Sequence, residues 1–405
     1  FLEQSEGGIE FLHCAALKAC PVGGVLDVLA SYNKNEDRPT KHGAECASIG
    51  EVVLAQKHFP NENIVFDSPC KTIPELKYAL SNSIHLNIDS LQELERVKLI
   101  YQSGETHKGG SIGLRVNPLV GAGALGMFSV ATLHSKFGIP ITSITAEEVA
   151  DLPWINCLML HTGSHGCGLD LLVDGVAKVV DFATKVNEIS KKKRGAAQIR
   201  TFDIGGGVPA ILSTENEICK FREYAQSLKE RCPELFSGQF SKIVTEFGAS
   251  MFARTGWVAS RVEYTKEIID EDQRRRTLVI IHAGADLFLR KCYAGTGCHP
   301  LSLHSSKGEL LPVVELGEKH SLFGPLCFSG DELSEKNGSV EFARQAVPGD
   351  IVVVHNAGAN VISLFNHHCS RNASQVIIFR SNEGDITLNS VRSEDSVQGT
   401  VAFWG

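Results

Sequence analysis

Between residues 11 and 248 the chain repeats one unit: a short apolar run, then a stretch whose apolar residues return every three or four positions. The runs are FLHCAALKAC (11–20), GAECAS (43–48), NIVFDSP (63–69), IHLNID (84–89), SIGLRVN (111–117), CLMLHTGS (157–164), RTFDIGGG (200–207) and KIVTEFG (242–248). The helical period shows in SLQELERVKLIYQ (90–102), LDLLVDGVAKVVDFATKVNEI (169–189) and TENEICKFREYAQSLKER (214–231). Eight strand–helix units over about 240 residues predict an α/β fold, a (β/α)8 TIM-like barrel.

After residue 254 the texture changes. VASRVEYTKEIID, RRTLVIIHAG, VVELGEKHSLFGPLCFSGD, GDIVVVHNAGAN and SQVIIFRS read as strands bounded by Gly, Asp and Asn. Residues 9–253 are therefore expected to form the barrel and 254–405 a mostly β domain. The abrupt start, with Phe1 and a strand within about a dozen residues, implies that sequence precedes it. The polar stretch YNKNEDRPTKHG (32–43) reads as an exposed loop.

The chain has 405 residues, 43% hydrophobic and 21% charged, with a formal net charge of -8, which argues for a globular protein and against a nucleic-acid partner. No uninterrupted apolar stretch of about 18 residues is present, so no membrane span is expected and a cytoplasmic location is the default. The twelve cysteines lack the paired CxxC spacing of a zinc site and read as small, reduced core residues. No metal is expected. Asn337-Gly-Ser and Asn372-Ala-Ser fit the glycosylation pattern, a motif too short to weigh.

Chemistry in a barrel gathers at the carboxyl ends of the strands. Strand seven ends in Gly205, Gly206 and Gly207, where missing Cβ atoms let backbone N–H groups approach a phosphate; a turn that packing requires would also call for glycine. Strand one ends in Lys18 among Ala15, Ala16, Leu17 and Ala19, an apolar setting expected to lower its pKa and ready it for a Schiff base. Strand six ends in His161-Thr162-Gly163-Ser164 and strand eight in Thr245-Glu246-Phe247-Gly248. An amine, a flat ring, a glycine cradle and a carboxylate are the parts that hold pyridoxal phosphate.

LKAC, GAECAS, LRVNP with SKFG, HTGS, FDIGGG, TEFG, GPLCFSGD (324–331) and AGAN (357–360) follow one another in an order that resembles the barrel-fold (fold type III) pyridoxal-phosphate decarboxylases, the group of ornithine, arginine and diaminopimelate decarboxylases. The resemblance implies Lys18 as the Schiff-base lysine and His161 as the ring stacked on the cofactor. It implies Ser164, Gly205, Gly206, Gly207 and Asn360 around the phosphate, Arg115 and Gly248 among the cofactor contacts and Glu246 on the pyridine nitrogen. It also implies a homodimer with shared sites, in which Cys327 of the second subunit returns a proton to the substrate carbon. Arg290, Tyr293, Phe328 and Asp331 are the substrate contacts it suggests.

Three positions depart from the pattern. Ala249 stands where the family has arginine and Asn360 where it has tyrosine. Phe328 replaces the acid that binds a distal amino group in the basic-amino-acid enzymes, which disfavours ornithine and lysine. Arg290 in GADLFLRKCY suits a substrate with a distal carboxylate, as in diaminopimelate. Two other readings stay open: a racemase on the same barrel, against which Glu246 argues, and a non-catalytic homologue serving as a regulatory binding protein.

Overall fold

The computed structural model describes Phe1, Glu3 and residues 8–35, 40–104, 109–164, 166–210, 220–271, 273–297, 299–334, 340–382 and 385–405. Eight parallel strands lie in it: β1 (Glu10–Ala16), β2 (Thr40–Cys46), β3 (Ile64–Asp67), β4 (His85–Ile88), β5 (Ile112–Asn117), β6 (Cys157–Met159), β7 (Thr201–Asp203) and β8 (Lys242–Phe247). They close into a barrel, because β1 pairs with both β2 and β8 while β4 pairs with β5. All eight strands fall on the expected apolar runs.

Side chains alternate between the two faces of each strand. One parity, including Phe11, Phe66, Leu86, Leu114, Leu158, Phe202 and Ile243, joins the large apolar layer beneath the helices. The other parity gives Leu12, Cys14, Val65 and Val244, a small separate cluster inside the barrel. Moving toward the carboxyl ends, this inner parity turns polar: Glu45, Asp67, Arg115, Asp203 and Glu246, all buried. The helices supply the outer wall. The 26-residue helix Leu169–Arg194 buries Leu172, Val176, Val179, Val180, Ala183 and Val186 along one face, and its last turn carries Lys191, Lys192, Lys193 and Arg194, the sign the helix dipole favours.

Several boundaries differ from the sequence reading. β2 begins at Thr40, so the TKHG end of the expected loop is strand; residues 36–39 lie outside the described residues. β1 stops at Ala16, and Lys18 stands in the turn beyond it. The helix expected over 214–231 is seen as Phe221–Arg231, with 214–219 outside the described residues. Cys14, Cys20, Cys46, Cys157, Cys167 and Cys232 are buried and reduced, whereas Cys70, Cys327 and Cys369 are exposed. Asn337 also lies outside the described residues, and the Asn372 amide is held by Asp395 O and the Thr400 hydroxyl.

The chain forms two compact units, one ending at Met251 and the other running from Phe252 to Gly405. The second is built on a seven-stranded sheet with the strand order Leu310–Leu311, Leu301–His304, Ile351–Val354, Val258–Ile269, Arg275–Ile281, Val313–Phe323, Val340–Phe342. Its core contains Val262, Val279, Ile281, Phe288, Leu322, Phe342 and Val354. A hairpin, Val376–Asn382 with Asp385–Arg392, and the short helices Leu289–Ala294 and Val397–Trp404 complete it. Among the described residues no helix is long and apolar enough to cross a membrane.

Candidate active site

Lys18 sits two residues past β1, and the Leu17 N–H bonds to the Glu45 carbonyl at 3.0 Å, which ties this turn to β2. The Lys18 side chain is half exposed, yet its Nζ lies 2.5 Å from Oε2 of Glu45, whose side chain is fully buried. The apolar neighbours in sequence implied a lowered pKa for this amine. The structure corrects that: burial does pull it down, but the Glu45 and Glu246 carboxylates outweigh burial and hold the ammonium above its ordinary range.

His161 follows β6 and turns inward. Its Nδ1 accepts the Gly206 N–H at 3.1 Å, which places the ring proton on Nε2. Burial, then the Arg115 and Lys18 cations, push its pKa down to about 3. The ring is therefore neutral at any working pH, a flat surface fixed from one edge.

The glycine triplet answers to packing as well as to any anion. A Cβ on Gly205 would stand 2.3 Å from the Leu160 carbonyl oxygen, on Gly206 2.2 Å from that of Glu246, and on Gly207 2.2 Å from that of Gly163. Backbone from both flanking strands thus presses on the three residues, and two of their N–H groups are already used. Gly205 N donates to Asp203 Oδ1 at 2.8 Å and Gly206 N to His161. Of the expected phosphate donors, the Gly207 N–H is left without a protein acceptor among the described residues. Ser164 beside it uses its backbone N–H on Phe128 O, and Gly248 closes the mouth from β8, where a Cβ would come within 3.0 Å of Ala19 Cβ.

Two carboxyls meet at the floor. Asp203 and Glu246 are within hydrogen-bonding contact of each other, yet Asp203 Oδ2 and Glu246 Oε1 are buried with no donor. Two carboxylates cannot satisfy each other without a proton between them. Burial, then the other acids, raise Glu246 well above the carboxylate range, and Asp203 rises to about 7, burial being the main cause. An acid whose folded pKa is raised stabilises the fold fully below its unfolded value and loses that contribution as pH climbs through the folded one. Relative to Asp203→Asn, wild-type protein without cofactor should lose thermal stability between about pH 4 and pH 7, measured as the Tm difference across that range. Buried His85 and the half-buried His13 and His161, with pKa values pushed down to about 4, 4 and 3 mainly by desolvation, act in the opposite sense and cancel in that difference.

Arg115 is less available than its expected role required. Its Nη1 lies 2.9 Å from Asp67 Oδ2 and 3.4 Å from Asp89 Oδ1, and its Cζ is 4.7 Å from the Phe137 ring centroid. Glu45, Asp67, Asp89 and Asp203 were all missed in the sequence. The signal was present: one acid at the inward parity at or next to the carboxyl end of each of β2, β3, β4 and β7.

The remaining expected residues belong to the second unit. Arg290 and Tyr293 share the helix Leu289–Ala294, and burial lowers the Arg290 pKa. Tyr293 stacks on Phe328 with centroids 4.7 Å apart and planes 8° from parallel, and its hydroxyl hydrogen-bonds His368 Nδ1 at 2.9 Å. Cys327 is exposed and reduced. Asn360 takes φ 57°, a left-handed conformation asparagine tolerates.

Asp331, expected at the substrate, is buried and forms the hub of its loop. Its Oδ1 accepts the Ala285 N–H at 2.5 Å, its Oδ2 the Leu326 N–H at 2.7 Å, and the side chain is buried. Asp331→Asn turns an amide group toward one of those donors, so a loss of about 1–3 kcal/mol is expected, read as a lowered denaturation midpoint.

The first unit is thus a closed barrel with a lysine, a neutral histidine ring, glycine backbone and orphaned carboxyl oxygens gathered in its mouth, which defines a cofactor enzyme of the barrel class. Residues 10–253 match the family described as "Pyridoxal-dependent decarboxylase, pyridoxal binding domain". The chain belongs to that family and is a pyridoxal-phosphate-dependent amino-acid decarboxylase. It is 27% identical over 399 residues to a diaminopimelate decarboxylase of Pseudomonas aeruginosa, covering 96% of this chain and 86% of that one. A relative of the same name from Aquifex aeolicus is 27% identical over 349 residues, 83% of this chain and 75% of its own. The fold matches diaminopimelate decarboxylase from Helicobacter pylori complexed with L-lysine, at TM-score 0.75 and 24% identity over 100% of this chain and 92% of that one. It also matches the Methanocaldococcus jannaschii enzyme in complex with L-lysine, at TM-score 0.79 and 22% identity over 98% and 85%.

The residues present fit the cofactor. The unpartnered Glu246 oxygen suits a protonated ring nitrogen, the neutral imidazole suits a stacked ring, and the Gly207 N–H suits a phosphate oxygen.

Proposed function

We propose that the substrate is an amino acid whose side chain ends in a carboxylate, diaminopimelate or a close analogue. The observation that carries this is that relatives aligned along most of the chain are diaminopimelate decarboxylases. Phe328 supports it, because a phenyl ring leaves a lone distal ammonium without an anion, and Arg290 can take a carboxylate through two parallel N–H bonds.

Pyridoxal phosphate, when bound, supplies an electron-withdrawing ring that stabilises the carbanion left by departing carbon dioxide. Lys18 would hold it through Nζ. That nitrogen must first lose a proton, and Glu45 Oε2 at 2.5 Å is placed to receive it. Glu246 would keep the ring nitrogen protonated, with Asp203 behind it sharing the proton when the nitrogen is absent. His161 would lie against the ring face, held edge-on by Gly206. The Gly207 N–H and the Ser164 hydroxyl would meet the phosphate, and the missing charge at Ala249 leaves that end bound mainly by neutral donors.

Cys327, exposed on its loop, would return a proton to the substrate carbon in a homodimer of cytoplasmic location. The family match and Glu246 opposite the ring nitrogen favour decarboxylation over racemisation.

The test is carbon dioxide release from a panel holding meso-diaminopimelate, ornithine, lysine and arginine. Release from diaminopimelate with none from ornithine is expected; release from ornithine in preference to diaminopimelate would overturn the substrate reading.

A further inference from the structure

Arg115 enters the mouth from β5 with its charge engaged on three sides. Asp67 Oδ2 is 2.9 Å from Nη1, Asp89 Oδ1 is 3.4 Å from it, and the Phe137 ring lies against the guanidinium. All three charged side chains are buried. Asp89 alone would balance the single positive charge, so Asp67 is an acid beyond what neutrality asks. Its second oxygen is left over. Asp67 Oδ1 is buried with no hydrogen-bond partner, and Glu45, Asp67 and Glu246 each place a carboxylate oxygen within 4.8 Å of the others.

Glu45 and Glu246 each keep one buried oxygen without a donor. An arginine released nearby would find in either one a carboxylate to grip with two N–H groups, and arginine does not lose its charge. On Glu45 it would displace the Lys18 ammonium and remove the acceptor for its proton. On Glu246 it would take the anion that faces the ring nitrogen.

We propose that Asp67 is a positioning residue that clamps Arg115 beside Asp89 and Phe137, keeping the guanidinium off Glu45 and Glu246 so that Lys18 remains their cationic partner. The inference rests on the reading of this mouth as the cofactor site. It gives Arg115 the opposite of its expected role: the arginine is to be kept away from the cofactor rather than brought to it. Asp67 acts chiefly through Arg115, so what harms the site most is a misplaced guanidinium and not a missing one.

The test uses full-length protein reconstituted with pyridoxal phosphate and compares wild type, Asp67→Asn, Arg115→Met and the double variant by visible absorbance and cofactor Kd. Wild type taking up no visible chromophore would sink the cofactor reading itself. With wild type yellow, Asp67→Asn is expected to move absorbance from the visible to the near ultraviolet, because an anion is lost and a cation is freed beside the Lys18 nitrogen. Its Kd should rise about tenfold, the effect of one pKa unit's worth of misplaced charge. The double variant should regain the wild-type band and Kd.

An Asp67→Asn spectrum identical to wild type, or a double variant as bleached as the single, would overturn the clamp. A purely structural role for Asp67 predicts lost thermal stability with an unchanged band, which would also overturn it. Where Asp67→Asn does not fold, Arg115→Met decides: a retained visible band supports the clamp, and a bleached one shows that Arg115 itself serves the cofactor.

Discussion

Lys18→Ala gives a colourless protein whose decarboxylation rate falls by about 10⁴-fold or more, the scale on which enzymes lose rate when a covalent nucleophile is removed. The reason lies in the geometry. Lys18 Nζ stands at the mouth of the barrel with its proton acceptor, Glu45 Oε2, at 2.5 Å, and the turn that carries it is tied to β2 by the Leu17 N–H bond to Glu45 O. Lys71, past the end of β3, is also paired with a buried carboxylate, Glu93 at 3.0 Å, but its own side chain is fully buried, whereas that of Lys18 is half exposed. The same substitution strips the partner from a fully buried carboxylate, so Glu45 should take up a proton in the variant. Thermal unfolding of the variant should therefore become more sensitive to rising pH than that of wild type, as expected for an acid left buried alone. Steady-state rates on diaminopimelate together with the absorption spectrum check the first part, and Tm against pH checks the second.

Glu246→Gln should separate stability from activity. The carboxyl of Glu246 is crowded by Asp203, Glu45 and Asp67, and burial with these like charges raises its pKa well above the ordinary value. A neutral amide of the same shape removes that repulsion and can donate to Asp203 Oδ2, which has no donor in the native protein. Protein without cofactor should then be as stable as wild type or more so at pH 7 to 8. The loaded enzyme should lose about 10²–10³-fold in kcat, the scale of one preorganised electrostatic contact. The amide cannot keep the ring nitrogen protonated, so the electron sink is weakened while binding through Lys18 persists. A variant that loses stability and keeps its rate would show that Glu246 is a packing residue.

The barrel was legible because its strands announce themselves as apolar runs and its outward parity is mainly hydrophobic, His13, His42 and Thr245 excepted. Lys18, His161 and Glu246 were legible because each is a reactive group set where such a run ends. The acids were not, because a lone carboxylate in a strand end reads as a solvated residue until barrel closure is known. The register that sets Ala16 beside Glu45 brings the acid of β2 up to the lysine loop of β1. The sign of the Lys18 pKa shift is hidden in the sequence for the same reason: the local neighbours are apolar, and the deciding charge is 27 residues away. Asp331 likewise serves a backbone N–H 46 residues earlier, a partner no motif shows. The glycine triplet was ambiguous on principle, since close strand backbone and a bound phosphate both demand the absence of a Cβ, and the structure shows the first demand already met at all three positions.

Decarboxylation by this protein requires covalent attachment of pyridoxal phosphate at one amine. Reconstituted protein reduced with borohydride and then digested should carry a single pyridoxyl mass increment on the peptide containing Lys18. Recovery of that peptide unmodified, with the increment on another lysine or on none, would contradict it.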